Sequence, residues 1–252
     1  MTLITLLTDY GTADPYVGEM KGVLLTLAPG ATLVDITHSI APGDLPGASY
    51  VLGRTWSRFP SGTVHLVVVD PGVGTARGAL AFTAKGHGFV GPDNGVFSAV
   101  LHGTEVEAVS LPLPEAASAT FHGRDVFAPA AAALARGDPV GSLGQPYSRV
   151  PVRLSGAHPQ YQGKSVMGEV IFIDRYGNLI TNLTPDLVPP YAVLEVEELS
   201  IGPLRRTFGD VPTGGLVAYL GSGGTVEIAV RDGSAARRLG LGVGGRVRAR
   251  LG

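Results

Sequence analysis

The stretch VHLVVVDPGVGTAR, residues 64–77, constrains this chain more than any other. A β-branched apolar run stops at Asp70, Pro71 and Gly72 break it, and Arg77 follows on the next loop. A carboxylate at the end of a buried strand, with a cation just beyond, is how α/β sheets build polar sites. In such folds ligands bind outside the carboxyl ends of the strands.

The surrounding pattern fits that architecture. Residues 3–7 read as a strand ending in Thr8-Asp9. Asp14-Pro15 read as the N-cap and first position of a helix with Val17, Met20, Val23 or Leu24, and Leu27 at helical spacing, stopped by Pro29-Gly30. Residues 32–36 form the next strand, leading to His38. Asp44 caps a helix with Leu45, Ala48, Leu52, Trp56 and Phe59 on one face. Residues 88–90 run into a turn at Gly91-Pro92-Asp93-Asn94-Gly95, residues 106–111 are a strand, and residues 126–136 an Ala-rich helix. This alternation predicts a mostly parallel sheet flanked by helices.

After the Gly-, Pro- and Ser-rich stretch 137–158 the pattern changes. Short apolar runs at 168–174, 192–196, 215–220 and 226–230 are separated by turn residues, as in a small antiparallel sheet or barrel. The expected organisation is an α/β domain over residues 1–150 and an all-β, barrel-like domain over 163–252.

Composition narrows the function. Formal net charge is −2 over 252 residues, with no basic footprint for nucleic acid. The absence of cysteine excludes disulfides, thiolate catalysis and thiolate-bound metals. No histidine spacing suits a metal. No apolar run approaches the roughly 20 residues of a membrane span, and the first residues lack a signal peptide's basic start. A cytoplasmic protein without a membrane partner is expected.

Polar residues gather at the strand ends: Asp9, His38, Asp70 and Asp93-Asn94. Each has an ordinary explanation as well. Asp14 suits an N-cap, Asp93-Asn94 suit a turn, and His122 could be a bystander before the helix-entry pair Arg124-Asp125. Asp174-Arg175-Tyr176-Gly177-Asn178 could be a simple hairpin turn. Of the other histidines, His65 reads as a strand residue and His87, His102 and His158 as surface-loop residues. Asp9 and Asp70 are harder to dismiss, because a carboxylate at a buried strand end is costly unless paired or used. The glycines at 72 and 74 do not make a dinucleotide fingerprint, and there is no Walker A motif or nucleophile elbow.

Six segments together resemble one family: TDYG (8–11), VVVDPGVGTAR (67–77), GPDNGV (91–96), FHGRDVFAP (121–129), DRYGNLITN (174–182) and GSGGTVEIAV (221–230). They are similar to the S-adenosyl-L-methionine (SAM) hydroxide adenosyltransferases, the adenosine-forming SAM hydrolases, which are related to SAM-dependent chlorinases and fluorinases. The resemblance covers essentially the whole chain. It implies a homotrimer with SAM, the substrate, bound between one subunit's N-terminal domain and a neighbour's C-terminal domain, and no cofactor or metal. It places the catalytic roles on Asp70, Arg77 and His122. Asp9 would hold the ribose hydroxyls, and Asp14, Asp174 and Ser222 the methionine end. Asn178 and the backbone from Val230 to Asp232 would read adenine, with Glu227 nearby and Phe121 in the substrate-binding set. Related halogenases carry Tyr in place of Asp70 and of His122, so this chain has the hydrolase set. It departs at Gly43, where relatives often have an aromatic residue.

The implied chemistry is attack of water on C5′ of SAM, releasing adenosine and L-methionine. Asp70 with His122 would orient the water and take its proton, and Arg77 would stabilise hydroxide. The competing readings are a halogenase making 5′-chloro-5′-deoxyadenosine and a non-catalytic adenosine or SAM sensor.

Overall fold

A computed structural model describes residues 2–104, 106–155 and 158–252. The chain forms two compact units, one ending at Leu154 and one beginning at Ser155. Gly156 and Ala157, inside the linker expected from composition, lie outside the described residues.

The first unit contains β1 (Leu3–Thr8), α1 (Tyr16–Leu27), β2 (Thr32–Thr37), α2 (Leu45–Thr55), β3 (Val64–Val68), β4 (Gly78–Ala84), β5 (His87–Asp93), α3 (Ser98–Leu101), β6 (Glu107–Ser110), α4 (Ala128–Arg136) and β7 (Gln145–Pro146). They form a seven-stranded sheet in the order β2-β1-β3-β5-β4-β6-β7. The first four are parallel and the rest continue antiparallel, so the sheet is mixed. Every residue of β3 is buried. That explains its apolar run, interrupted only by the buried His65, since a central parallel strand is covered on both faces. On one face Ile4, Leu6, Leu66 and Val68 pack with Met20 and Leu24 of α1 and the alanines of α4. On the other, Leu7, Val67, Val69 and Phe89 pack with Ala48 and Leu52 of α2.

Helical and strand alternation anticipates the parallel half but not β4. This strand is half of a hairpin whose turn residues, Lys85 and Gly86, have φ of 49° and 79°. Two successive positive φ values give the tight I′ turn that matches strand twist. Gly91, Pro92 and Asp93 continue β5 instead of turning. The ladder to β3 ends at Leu66↔Val90, before Pro92, so the proline displaces no rung there. Nor is Asp14 the cap of α1: Pro15 holds that position and no side chain caps the helix. Asp44 does cap α2, accepting from the Gly47 amide at 2.9 Å. His87 is not in a surface loop but buried at the start of β5.

The second unit comprises β8 (Gln160–Gln162), β9 (Ser165–Ile173), β10 (Leu179–Thr181), β11 (Val193–Val196), β12 (Leu199–Pro203), β13 (Leu216–Leu220), β14 (Val226–Val230), α5 (Ala235–Leu239) and β15 (Arg246–Arg250). The strand order is β12-β11-β15-β9-β10-β14-β13, with β8 beside β9. A bridge between Arg205, just past β12, and Tyr219 of β13 draws the sheet's two ends together into a nearly closed barrel. Strict alternation fills its interior. In β15, Val247 and Ala249 are buried while Arg246, Arg248 and Arg250 face outward.

Candidate active site

Asp9 and Asp70 follow β1 and β3, which lie side by side and pair through Thr8 and Val68. The two carboxylates therefore emerge at the same edge of the sheet. Both line a cavity of about 480 Å³ that also takes in Tyr10, Tyr16, Gly43 and Thr120. Asp9 is anchored there, because its Oδ2 accepts from the Gly43 amide at 2.8 Å. Gly43 has φ of 72°, a conformation that side chains disfavour, so a glycine at this point serves the anchor.

The loop after β3 is folded so that its far end returns to its start. Val73 N donates to Asp70 O, and Thr75 N to Gly72 O, giving two successive turns. Gly74, at φ 76°, lies so close to the Ala119 carbonyl that a Cβ would stand 2.6 Å from it. The doubled-back loop delivers Arg77 to Asp70. Nε donates to Oδ1 at 3.0 Å and Nη2 to Oδ2 at 2.5 Å. The two side chains are only 8% and 5% exposed. A shielded, bidentate pair of this kind is held far more firmly than a surface ion pair. The guanidinium also lies over the Phe127 ring, 5.1 Å from its centroid.

His122 joins this pair on its other side. It precedes a π-helical turn, Gly123–Phe127, that leads into α4. Its Nδ1 lies 2.8 Å from Arg77 Nη2. Arginine can only donate, so Nδ1 is the acceptor and the proton of the neutral ring sits on Nε2. Burial and the neighbouring guanidinium push the imidazole pKa down from its ordinary value. Asp70, Arg77 and His122 thus form one continuous chain of contacts, of which Asp70 reaches the cavity.

The remaining strand-end groups are held structurally. His38 is buried and meets Thr8 Oγ1 through Nδ1 at 2.8 Å. Asp93 accepts from the Tyr147 hydroxyl and from the Val152 amide. Asn94 donates to the Val69 carbonyl at 2.9 Å, securing the end of β3. Asp14 is exposed, in the loop before α1, and does not line the cavity. Phe121 is buried beside it, packed edge-on to Tyr10 and Tyr16 at 5.9 and 5.3 Å.

The second unit carries the other candidates. Asp174 closes its own turn, accepting from the amides of Tyr176 and Asn178 and from Asn178 Nδ2 at 2.8 Å. Glu227 is 8% exposed and accepts from the Tyr219 hydroxyl at 3.1 Å. Its carboxylate rests on Gly221, where a Cβ would stand 1.9 Å from Oε1. Burial and the charges of Glu227 and Asp174 raise the Tyr219 pKa strongly, keeping the phenol protonated. Ser222 lies in the adjoining glycine turn. Val230 ends β14, and Asp232 has φ of 58° with its Oδ2 bonded by Thr213 Oγ1 at 2.8 Å.

The N-terminal domain model of the SAM hydroxide adenosyltransferases matches residues 4–144, and the C-terminal domain model matches residues 168–248. The chain belongs to this family. The (R)-S-adenosyl-L-methionine hydrolase of Thermus thermophilus is 46% identical over 98% of this chain and 99% of its own. The (R)-S-adenosyl-L-methionine hydrolase of Salinispora arenicola is 40% identical over 99% of this chain and 98% of its own. An uncharacterized conserved protein from Thermotoga maritima has the same fold, with a TM-score of 0.90 and 36% identity over 98% of this chain and 99% of that one.

Sequence patterns did not single out Tyr16, Thr120 or Tyr219, and Tyr10 stood only as part of the TDYG segment. Their surroundings come largely from distant segments, and by type each resembles an ordinary helix, strand or loop residue. Among the described residues no group of three or more His, Asp or Glu is placed to hold a metal ion.

Proposed function

We propose that this protein hydrolyses SAM to adenosine and L-methionine by in-line attack of water at C5′. The observation that carries the reading is the Asp70–Arg77–His122 chain, with Asp70 opening into the same cavity as Asp9.

The chemistry asks for little beyond a placed nucleophile. SAM is a sulfonium, so the C5′–S bond breaks with its electron pair going to sulfur, and methionine leaves as a neutral thioether. No general acid is required. As the water oxygen bonds to C5′ it becomes strongly acidic, and a carboxylate in reach can take its proton. Asp70 fits that role. Arg77 fixes the carboxylate by its two-pronged contact, so orientation is set before substrate arrives. His122 fits less well as a base than the sequence suggested. Its Nδ1 lone pair is engaged by Arg77, and its depressed pKa leaves Nε2–H as a donor. In this reading Asp9 holds the ribose hydroxyls. Asp14, Asp174 and Ser222 serve the methionine end, and Phe121, Asn178, Glu227, Val230 and Asp232 the adenosine. Homotrimer assembly brings the two sets together from neighbouring subunits. Light scattering tests the assembly, which requires three times the 25.9 kDa chain mass.

Reaction in ¹⁸O-labelled water tests the chemistry. Label in the adenosine 5′-hydroxyl is expected. Unlabelled adenosine, a 5′-chloro nucleoside formed in chloride, or bound nucleoside without turnover each overturns the proposal, the last two in favour of a halogenase or a sensor.

A further inference from the structure

Tyr10 follows Asp9 directly and lines the same cavity as Asp9 and Asp70. Its ring is wedged between aromatic neighbours, with Tyr16 at 5.7 Å and Phe121 at 5.9 Å between centroids. Its backbone amide donates to Thr8 Oγ1 at 3.3 Å. The ring therefore has little freedom. Its hydroxyl sits over Gly123, the residue immediately after His122. A Cβ on Gly123 would stand 2.7 Å from the Tyr10 hydroxyl oxygen, with Met20 Sδ and a Phe121 ring carbon next at 3.2 and 3.3 Å. Gly123 has an ordinary negative φ, so backbone strain does not demand a glycine there. What demands it is the space taken by the phenol.

We propose that Tyr10 is a positioning residue for the nucleophilic water, and that Gly123 is a glycine because it must leave room for the Tyr10 hydroxyl. The inference rests on the hydrolysis reading of the site. A water held by Asp70 alone could attack from several directions, whereas a second, fixed polar contact limits it to one. The hydroxyl suits this because it stays neutral. Burial and the negative charges of Asp9 and Asp70 raise its pKa well above the ordinary value for a phenol. A neutral hydroxyl can both donate to the water and accept from it while Asp70 takes the proton. It adds no charge beside a cationic substrate. Gly123 links this wall to the Asp70–Arg77–His122 chain, since displacing the phenol and displacing His122 are the two ways a side chain at 123 could be accommodated.

The test is a double-mutant cycle of Tyr10→Phe and Gly123→Ala, read as kcat and KM for SAM, with thermal melting to confirm folding. Tyr10→Phe is expected to lower kcat by about 10-fold or more while KM changes little, since only a transition-state contact is lost. Gly123→Ala is expected to lower kcat at least as far, because the clash dislodges the hydroxyl. Combining the two removes the atom that clashes. The double variant is therefore expected to match Tyr10→Phe and not to show the product of both losses. Multiplicative losses, or a Tyr10→Phe enzyme with wild-type kcat, overturn the proposal. If wild-type protein releases no adenosine from SAM, the hydrolysis reading itself has failed, and that outcome is separate from either result of the cycle.

Discussion

Arg77 donates through Nη2 to His122 Nδ1 across 2.8 Å. A guanidinium has no lone pair to offer, so this contact excludes a proton from Nδ1 and fixes His122 as the neutral tautomer protonated on Nε2. The same guanidinium grips Asp70 through Nε and Nη2. One arginine thus sets both the direction of a carboxylate and the protonation of an imidazole.

That relationship predicts the acid side of the pH profile. Burial and Arg77 lower the His122 pKa from 6.5. Protonation at Nδ1 would break the contact with Arg77, so activity should be flat through neutral pH and decline only below 6.5. The kcat/KM profile checks this, and an acid limb centred above 6.5 contradicts it.

Asp70→Asn keeps the shape of the side chain and removes its charge and basicity. Turnover is expected to fall by about 10²–10⁴-fold, the usual range for losing a general base. Adenosine affinity, measured by calorimetry, should remain within a few-fold because the ribose anchor Asp9 is untouched. Near wild-type turnover sinks the assignment of Asp70.

Removing Arg77 should cost stability as well as activity. Arg77→Ala leaves the Asp70 carboxylate shielded and unpaired, and breaking such a pair costs about 3–5 kcal/mol. Combining it with Asp70→Asn should recover part of that loss. Urea unfolding of the two single variants and the double reads the difference, and strictly additive losses would show that the pair is not coupled.

A pair of buried histidines makes the fold itself acid-sensitive. His65 is fully buried on β3. It meets Thr5 Oγ1 through Nδ1 at 2.8 Å and His87 Nδ1 through Nε2 at 3.1 Å. Burial and the neighbouring His87 lower its pKa from 6.5 to about 3. The unfolded chain takes up this proton below pH 6.5 and the folded chain refuses it, so stability is complete above 6.5 and falls as pH drops toward 3. The slope approaches about 1.4 kcal/mol per pH unit for one such group. Denaturant midpoints between pH 7 and pH 4 test this, and His65→Phe should flatten the dependence.

Asp93 is expected to matter for folding rather than chemistry. It is 8% exposed and accepts from the Tyr147 hydroxyl and the Val152 amide, pinning the segment before Leu154 to β5. Asp93→Ala leaves the part-buried Tyr147 hydroxyl without its acceptor and frees the exposed Val152 segment, and should cost about 1–3 kcal/mol. Unfolding measurements should show that loss while KM for SAM stays near wild type.

What residues 64–77 determined alone is substantial. A largely apolar run rich in valine points to a strand buried on both faces, and a carboxylate directly after it must emerge at the strand's end, because local propensity and burial both depend on neighbours in sequence. The helix at Asp44, the change of pattern after residue 137 and the alternating strands of the second unit are legible for the same reason. Tertiary structure alone decided how each polar strand end is used. Asp9 and Asp70 reach the cavity, while Asp93 is claimed by Tyr147, 54 positions away. His122 meets Arg77 across 45 positions, and Gly123 is shaped by Tyr10. Asp14 has the spacing of a helix cap and does not cap. Such partners are set by how the chain closes on itself, and contacts between distant segments leave no periodic trace in the sequence.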